Sequence, residues 1–446
     1  MNMLMFGKNP STILLLVAAT LAALACAADP TPNHMHIFTA AEAAASGARC
    51  LDGSPSGFFH SPGAGANANK VVIWLEGGGL CQHYEDCAKR ATTALGSSTK
   101  WTVGFRAQLM SGDPLANPDF HDWVRVYIPY CSGDLHSGRM RNRTNPWSTT
   151  AQTSNDVQHS QRAVRMFGLA APTEDGSPFT SGNSDGFYFA GHNTIEAVLN
   201  TLDSLYNITD AATDALLTGC SAGGMGTFYH ADWLAARLPN AKRVRANPQA
   251  GWFGAPYFEN YANYTAGEPP QPSGGYAHNV SGWLSKIDPF LHEKCAAHAR
   301  EAGTRALECA IVPLLYANWI ETPMFVSENV ADSYQIYVSG GAPLPESKAT
   351  PAVERYVAFV QGVLRSSLNK TVTQGRKRER DGLFAPACLC HCLAFSGPGA
   401  PTVEGVTHAA ALGDWYFGRG EGNTMRLAPM ADFKTLLSCP ASHVCR

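Results

Sequence analysis

Ser221 lies at the centre of the stretch GCSAG, residues 219–223, which has the pattern G-x-S-x-G. The stretch follows an apolar run and precedes a predicted helix, which is the context of a nucleophile elbow. In such a turn the serine occupies a strained backbone conformation, and the glycines two positions either side prevent collisions with neighbouring backbone. We therefore predict that Ser221 is a catalytic nucleophile. The alternative interpretation is a glycine-rich turn without chemistry.

An attacking serine requires hydrogen-bond donors for the negative oxygen of a tetrahedral intermediate. A glycine-rich segment after an upstream strand is a common source of such donors, and WLEGGGLC at 74–81 has this character. We predict that the backbone N–H groups of Gly78, Gly79 and Ala222 form the oxyanion hole. A phosphate-binding loop is the alternative, but the segment contains neither G-x-G-x-x-G nor a Walker sequence.

The serine also requires a basic histidine and an acid that orients the histidine. With a nucleophile elbow, the acid and then the histidine follow the serine along the chain. The segment MFVSENVADSYQI, residues 324–336, offers Glu328 and Asp332 after a late apolar run. We favour Asp332 because it lies farther from the run, in the connecting loop. The alternative is an ordinary loop or helix-capping aspartate.

Three histidines follow this segment: His391, His408 and His443. His443 lies between the two terminal cysteines, and His408 precedes a predicted helix. His391 lies in the stretch CLCHC, residues 388–392. That stretch has two interpretations, a metal site or a catalytic histidine held between disulfides.

The zinc interpretation of CLCHC is the weaker of the two. Zinc ligands are usually spaced by two or more residues, and crowded cysteines outside the cell are oxidised. We predict instead that Cys388 and Cys392 form disulfides that fix the loop of His391. The imidazole would then meet Ser221 as the general base and be oriented by Asp332.

The elements that must position these residues are strands and helices in alternation. Several apolar runs are β-branched and continuous, as in buried parallel strands: residues 71–75, 124–128, 215–218 and the run that begins at 322. A helix is predicted from His192, and another after Ser221 that stops at Pro239. The pattern predicts an α/β fold with a mostly parallel central sheet and helices on both faces. Two insertions, 139–185 and 252–292, are predicted to lie above the site.

The chain has 446 residues and a formal net charge of −3, so its composition gives no global attraction to nucleic acid or an anionic membrane. Lys8, an apolar run and then small residues predict a secretory signal at 1–27. A membrane anchor is the alternative, but it would need a longer apolar run. We expect residues 28–446 to form a single domain.

Cysteine usage also indicates an oxidising compartment. Thirteen cysteines are present, and removal of Cys26 with the signal leaves twelve, so disulfides are expected. Three short-range pairs are candidates: Cys81 with Cys87, Cys295 with Cys309, and Cys439 with Cys445. Five N-x-S/T sequons are candidate glycosylation sites in surface loops: Asn142, Asn207, Asn263, Asn279 and Asn369.

Several blocks, in this order, resemble the pectin acetylesterase and Notum family of secreted α/β-hydrolases. The blocks are LEGGGLC, RVYIPYCSGDLHSG, LLTGCSAGGMGTFYHADWL, TPMFVSENVADSYQI, CLCHC and GDWYFGR. The resemblance implies an α/β-hydrolase-like fold with Ser221 as nucleophile, Asp332 as acid and His391 as base. The resemblance also implies that the residues of the oxyanion hole are Gly78, Gly79 and Ala222.

The resemblance further implies a secreted serine carboxylesterase that removes O-acetyl groups from a pectin-like extracellular polysaccharide. The alternative is a Notum-like carboxylesterase that removes a lipid acyl group from a secreted protein. A second alternative is an inactive binding module on the same fold. We expect a monomer that uses no cofactor and no metal, binds no nucleic acid, does not insert stably into a membrane, and acts in the cell wall or extracellular matrix.

Overall fold

The computed structural model describes residues 33–81, 84–102, 108–142, 186–254, 260–267, 287–304, 306–343, 349–377, 379–392, 400–419 and 424–439. The predicted signal at 1–27 lies outside these residues. So do most of the predicted insertion at 139–185 and much of the one at 252–292.

The described residues contain short strands throughout the chain. They are β1 (His34–Ile37), β2 (Gly57–Ser61), β3 (Lys70–Leu75), β4 (Val124–Ile128), β5 (Asp214–Cys220), β6 (Arg243–Gln249), β7 (Phe325–Ser327), β8 (Gly382–Ala385), β9 (Thr402–Val403), β10 (Val406–Thr407) and β11 (Met425–Leu427). Each of the four predicted apolar runs overlaps one of them.

Within the described part of the chain, nine strands form one sheet in the order β1-β2-β4-β3-β5-β6-β7-β8-β11. The pairs β1–β2 and β2–β4 are antiparallel, and all other neighbouring pairs are parallel. Strands β9 and β10 form a separate antiparallel pair. The mostly parallel sheet confirms the predicted fold class.

Helices connect the strands of the sheet. They are α1 (Ala40–Ser46), α2 (Tyr84–Ala91), α3 (Gly191–Tyr206), α4 (Ile208–Ala211), α5 (Ala222–Arg237), α6 (Tyr261–Ala266), α7 (Glu293–Glu301), α8 (Val312–Asn318), α9 (Pro351–Leu368), α10 (His408–Phe417) and α11 (Phe433–Ser438). The two helices predicted from the sequence correspond to α3 and α5. No helix in the described ranges is long and apolar enough to cross a bilayer.

Both faces of the sheet are covered by apolar packing. On β3, Val71 and Ile73 belong to one cluster of buried residues, which includes side chains of α3 and α5. Val72 and Trp74 belong to a second cluster, which includes side chains of α10. A strand buried on both faces needs an apolar residue at every position, which explains why the run at 71–75 is continuous rather than alternating.

Five disulfides are present among the described residues: Cys50–Cys131, Cys81–Cys87, Cys220–Cys392, Cys295–Cys309 and Cys388–Cys439. The predicted pairs Cys81–Cys87 and Cys295–Cys309 are confirmed. The predicted pair of Cys439 with Cys445 is wrong, because Cys439 bonds to Cys388. A backbone hydrogen bond from Leu389 N to Leu436 O, 3.3 Å, holds α11 beside the Cys388 loop, so tertiary contact outweighs closeness in sequence.

Four of the five sequon asparagines lie in the described ranges. Asn142 and Asn207 are exposed, whereas Asn263 and Asn369 are half-buried on helical turns. Asn279 lies outside the described residues. Asn142 and Asn207 therefore remain the better-exposed candidates for glycosylation.

Candidate active site

The segments that carry the predicted site residues all leave the sheet at one edge. Strands β3, β5, β7 and β8 run parallel, so their carboxyl ends lie on the same side. After these ends come, in turn, the loop 76–80, Ser221, the segment 328–332 and the segment 386–392. Residues far apart in the sequence are thereby brought to a common edge.

Ser221 occupies the turn between β5 and α5, and its backbone is strained. Its φ of 60° and ψ of −120° lie in a region that residues other than glycine rarely adopt. Its N–H donates to Gln249 O at 2.9 Å, and its C=O accepts from Met225 N at 2.9 Å. The backbone geometry is that of a nucleophile elbow, with a serine that is 8% exposed.

The flanking glycines permit this turn to pack against β3. A Cβ atom at Gly223 would lie 1.9 Å from Leu75 O, and one at Gly219 would lie 2.6 Å from the same oxygen. Neither position can accept a side chain without moving the backbone. The predicted steric reason for the two glycines is therefore correct.

The loop 76–80 follows β3 and lies beside the elbow. A Cβ atom at Gly77 would lie 2.9 Å from Ser221 Cβ, which shows how close the two segments are. Gly79 has a φ of 76°, a conformation that favours glycine. The N–H groups of Gly78, Gly79 and Ala222 have no hydrogen-bond acceptor among the described residues.

His391 and Asp332 form a hydrogen-bonded pair. His391 Nδ1 donates to Asp332 Oδ2 at 2.6 Å. The other oxygen, Oδ1, accepts from Gln335 N at 2.8 Å, so Asp332 also caps the turn that follows it. The carboxylate is fully buried and the imidazole is 16% exposed at its side chain, so the pair lies in an environment that water barely enters.

Two aromatic rings enclose the imidazole of His391. Tyr334 stacks on it with ring centroids 5.0 Å apart, and Phe253 meets it edge-on at 6.2 Å. The second imidazole nitrogen, Nε2, is buried and has no hydrogen-bond partner among the described residues. The structure thus brings Asp332 and His391 into contact, but His391 Nε2 makes no hydrogen bond to Ser221.

A disulfide joins the nucleophile turn to the histidine loop. Cys220, directly before Ser221, bonds to Cys392, directly after His391, across 172 positions of sequence. Cys388 bonds to Cys439, and Cys390 is also disulfide-bonded. The prediction that Cys388 and Cys392 form disulfides around His391 is confirmed, and thiolates for a zinc site are not available there.

The sequence reasoning missed the partner of Cys392 and the role of Asn329. Asn329 Nδ2 donates to the backbone oxygen of His391 at 3.2 Å, which fixes the loop from the side of β7. A signal for the disulfide was present. If Ser221 and His391 are to meet, their sequence neighbours Cys220 and Cys392 must also lie close together.

Glu328, the other acid that the sequence offers, has a different environment. It is fully buried, and its Oε2 accepts from Trp252 N at 2.9 Å. Burial, and then the negative charge of Asp332, raise the pKa of Glu328 well above its usual range. Both effects favour the neutral form of Glu328, and His391 bonds to Asp332 rather than to Glu328.

Of the two other candidate histidines, the structure describes only His408, which lies in the core. His408 is fully buried and its Nε2 lies 2.8 Å from Ser327 Oγ, while burial lowers the pKa of His408 to about 3. It is a neutral core histidine at the start of α10. His443 lies outside the described residues.

Comparisons with known proteins agree with this architecture. The family model described as pectinacetylesterase matches residues 28–152 and 175–435. Pectin acetylesterase 5 of Arabidopsis thaliana is 29% identical, over 84% of this chain and 78% of its own length. The palmitoleoyl-protein carboxylesterase Notum of Schmidtea mediterranea is 25% identical, over 77% of this chain and 55% of its own.

A solved structure shares the fold. The Wnt deacylase Notum from Drosophila superposes with a TM-score of 0.66 at 24% identity, covering 91% of this chain and 99% of that one. The similarity supports the α/β-hydrolase-like architecture of the sheet described above. The family match covers well over half of the chain. The chain therefore belongs to the pectinacetylesterase family and is a carboxylic ester hydrolase.

Proposed function

We propose that the protein is a secreted serine esterase that removes O-acetyl groups from an acetylated, pectin-like extracellular polysaccharide. The observation that carries the proposal is the Asp332–His391 pair, tied through Cys392 and Cys220 to the turn of Ser221. The five disulfides of the described residues fit an oxidising compartment. A polymer substrate places the enzyme in a cell wall or extracellular matrix.

In the proposed mechanism the hydroxyl oxygen of Ser221 attacks the acetyl carbonyl carbon. His391 Nε2 takes the hydroxyl proton, and Asp332 stabilises the imidazolium through Nδ1. The negative carbonyl oxygen is held by the N–H groups of the oxyanion hole: Gly78, Gly79 and Ala222. His391 then gives the proton to the departing sugar oxygen, which leaves an acetyl-enzyme.

Water completes the cycle. His391 removes a proton from the water molecule that attacks the acetyl-enzyme, and the second tetrahedral intermediate uses the same N–H donors. Collapse of this intermediate releases acetate and returns the proton to Ser221. The unbonded Nε2 of His391 is the atom that must reach Ser221, and catalytic hydrogen bonds of this kind often tighten only when substrate is bound.

Two observations support an acetyl substrate. The pectin acetylesterases of Arabidopsis thaliana reach 29% identity with this chain, and the chain covers 78% and 81% of two of them. Ser221 is only 8% exposed, and Phe253 and Tyr334 pack against the base. A serine with little exposure, beside a base packed by aromatic rings, suits a small acyl group better than a long one.

The second candidate is removal of a lipid acyl group from a secreted protein. It is favoured by the Notum relatives, whose matches span 77–88% of this chain. A long acyl chain needs a deep apolar tunnel, whereas acetate needs only a small cavity. An inactive binding module on the same fold is the third candidate.

Acyl-length preference and acetate release test the proposal together. We expect acetate release from acetylated pectin to exceed that from acetylated xylan or chitin-type oligomers, and p-nitrophenyl acetate to be preferred over the octanoate and palmitate esters. Ser221→Ala is the control and should lower turnover about 10⁴-fold or more. A preference for the palmitate ester supports the lipid deacylase instead, and equal activity of wild type and Ser221→Ala removes Ser221 from the mechanism.

A further inference from the structure

The loop 76–80 is bound along its carbonyl side. Arg90 Nη1 donates to Gly78 O at 2.5 Å, and Arg90 Nη2 reaches Leu80 O at 3.5 Å. Tyr130 Oη donates to Gly79 O at 2.8 Å. Three successive carbonyl groups of the loop are thus held by two side chains.

Binding the carbonyl groups fixes the direction of the N–H groups. A peptide unit is planar and trans, so the C=O of one residue points opposite to the N–H of the next. The bond from Arg90 to Gly78 O therefore sets the direction of the Gly79 N–H. That N–H has no acceptor among the described residues and is one of the proposed oxyanion donors.

The loop lies directly on the side chains that bind it. A Cβ atom at Gly79 would lie 3.0 Å from Arg90 Nη2, and one at Gly78 would lie 2.5 Å from the ring of Tyr130. The guanidinium group therefore fills the space behind the loop. The contact is close enough that a shorter side chain at Arg90 would leave Gly78 O without its donor.

Arg90 is itself held in place. It lies in the last turn of α2, and Cys87, one turn earlier, forms a disulfide with Cys81 at the end of the loop. Its guanidinium pairs with Asp86 at 3.3 Å, and its side chain is only 15% exposed. The loop, the disulfide and the guanidinium thus form one local unit, with a positive charge behind the proposed oxyanion hole.

We propose that Arg90 is a positioning residue that orients the Gly79 N–H toward the oxyanion. The proposal rests on the proposed function of the Ser221 site. The planar guanidinium presents its donors to two carbonyl groups in a fixed fork, a geometry that the flexible ammonium group of lysine does not hold. A displaced oxyanion donor weakens the transition state without weakening substrate binding to the same extent.

The test compares Arg90→Gln and Arg90→Lys in the full chain, with p-nitrophenyl acetate as substrate. We expect Arg90→Gln to lower kcat about 10- to 100-fold, since a small misplacement of a catalytic group costs up to about 100-fold, while KM changes less than about 3-fold. Arg90→Lys should fall between Arg90→Gln and wild type. The matched control is Lys89→Gln, which removes an exposed charge from the same helix and should keep the wild-type kcat.

Active-site titration with a fluorophosphonate and affinity for a trifluoromethyl ketone separate positioning from misfolding. The ketone presents an oxyanion after adding to the serine, so its affinity should fall in parallel with kcat per titrated site. A kcat of Arg90→Gln within about 2-fold of wild type, or a loss that disappears after titration, overturns the proposal while leaving Ser221 in place. Full activity in Ser221→Ala would instead overturn the proposed function on which it rests.

Discussion

The two halves of the candidate site are built in different ways. Ser221 lies on continuous secondary structure: strand β5, a strained turn and helix α5 follow one another without interruption. His391 lies on a segment without a helix or strand, and Cys388, Cys390 and Cys392 around it are all disulfide-bonded. A rigid turn between β5 and α5 therefore fixes one partner, whereas disulfides and side-chain hydrogen bonds fix the other.

The two halves of the site are also stabilised by different interactions. The strain at Ser221 is maintained by the packing of α5 against β3, where Gly223 allows contact with Leu75 O. The loop of His391 is held by disulfides. Removing one native disulfide from a secreted domain typically costs about 2–5 kcal/mol of stability. We therefore expect a change in the first half to disturb folding, and a change in the second half to disturb both stability and the geometry of His391.

Replacement of Asp332, the acid that bonds to His391, should have the largest effect on activity. Asp332→Asn keeps the shape of the side chain but removes the charge that stabilises the imidazolium, so kcat should fall about 10⁴-fold. Steady-state kinetics with p-nitrophenyl acetate measure the loss. Glu328→Gln is the matched control and should stay within a few-fold of wild type, because Glu328 is already neutral. The opposite ranking would make Glu328 the acid.

A side chain at Gly223 should destabilise the turn that carries Ser221. In Gly223→Ala the added Cβ would lie 1.9 Å from Leu75 O, so we expect a loss of about 3–5 kcal/mol in the free energy of unfolding, measured by urea denaturation. The control is Gly362→Ala in α9, where a Cβ meets nothing within 4 Å and helix propensity favours alanine. Equal stability of the two variants would refute the steric account of the elbow.

Removal of the Cys220–Cys392 disulfide should loosen the loop of His391 from the turn of Ser221. The double variant Cys220→Ala, Cys392→Ala should lose about 2–5 kcal/mol of stability. It should also lose about 10-fold in kcat, as the imidazole is held less firmly toward Ser221. Differential scanning calorimetry and kinetics below the unfolding temperature measure the two effects. Removal of Cys295–Cys309 on helix α7 is the control, and an equal loss of kcat there would show that the link has no special role in catalysis.

The smallest effect concerns the pH dependence of stability. The folded-state pKa of Glu328 is raised by burial and by Asp332, so its contribution to stability is complete below the unfolded pKa of about 4.3 and is lost as pH rises toward the folded pKa. Glutamine cannot ionise, so the advantage in Tm of Glu328→Gln over wild type should grow from pH 5 to pH 8. A constant difference across this range would mean that Glu328 is not neutral in the folded protein.

The same contrast explains what the sequence could predict. Ser221, its glycines and the strands around it are local features, so the pattern GCSAG and the apolar runs were sufficient. Chain order favours Asp332 as the acid, and in the structure its Oδ2 lies 2.6 Å from His391 Nδ1. These predictions need only local pattern and chain order.

The long-range disulfides were not predicted, although the need for Ser221 and His391 to meet would also have brought Cys220 and Cys392 together. The bond between Cys220 and Cys392 spans 172 positions, and the partner of Cys439 proved to be Cys388 rather than a neighbour in sequence. Arg90 gave no signal, because a basic residue near a helix end is usually a surface charge. Its contact with Gly78 O exists only once α2 folds back on the loop.

Covalent labelling tests the central claim most directly, namely that Ser221 is a nucleophile activated by the Asp332–His391 pair. The full chain is treated with diisopropyl fluorophosphate, and the label is counted by intact mass and located by peptide mapping. One label on Ser221, loss of esterase activity in proportion, and labelling slowed at least about 100-fold in Asp332→Asn are the predicted results. Labelling at another residue, or full ester turnover by protein labelled at Ser221, would contradict the account.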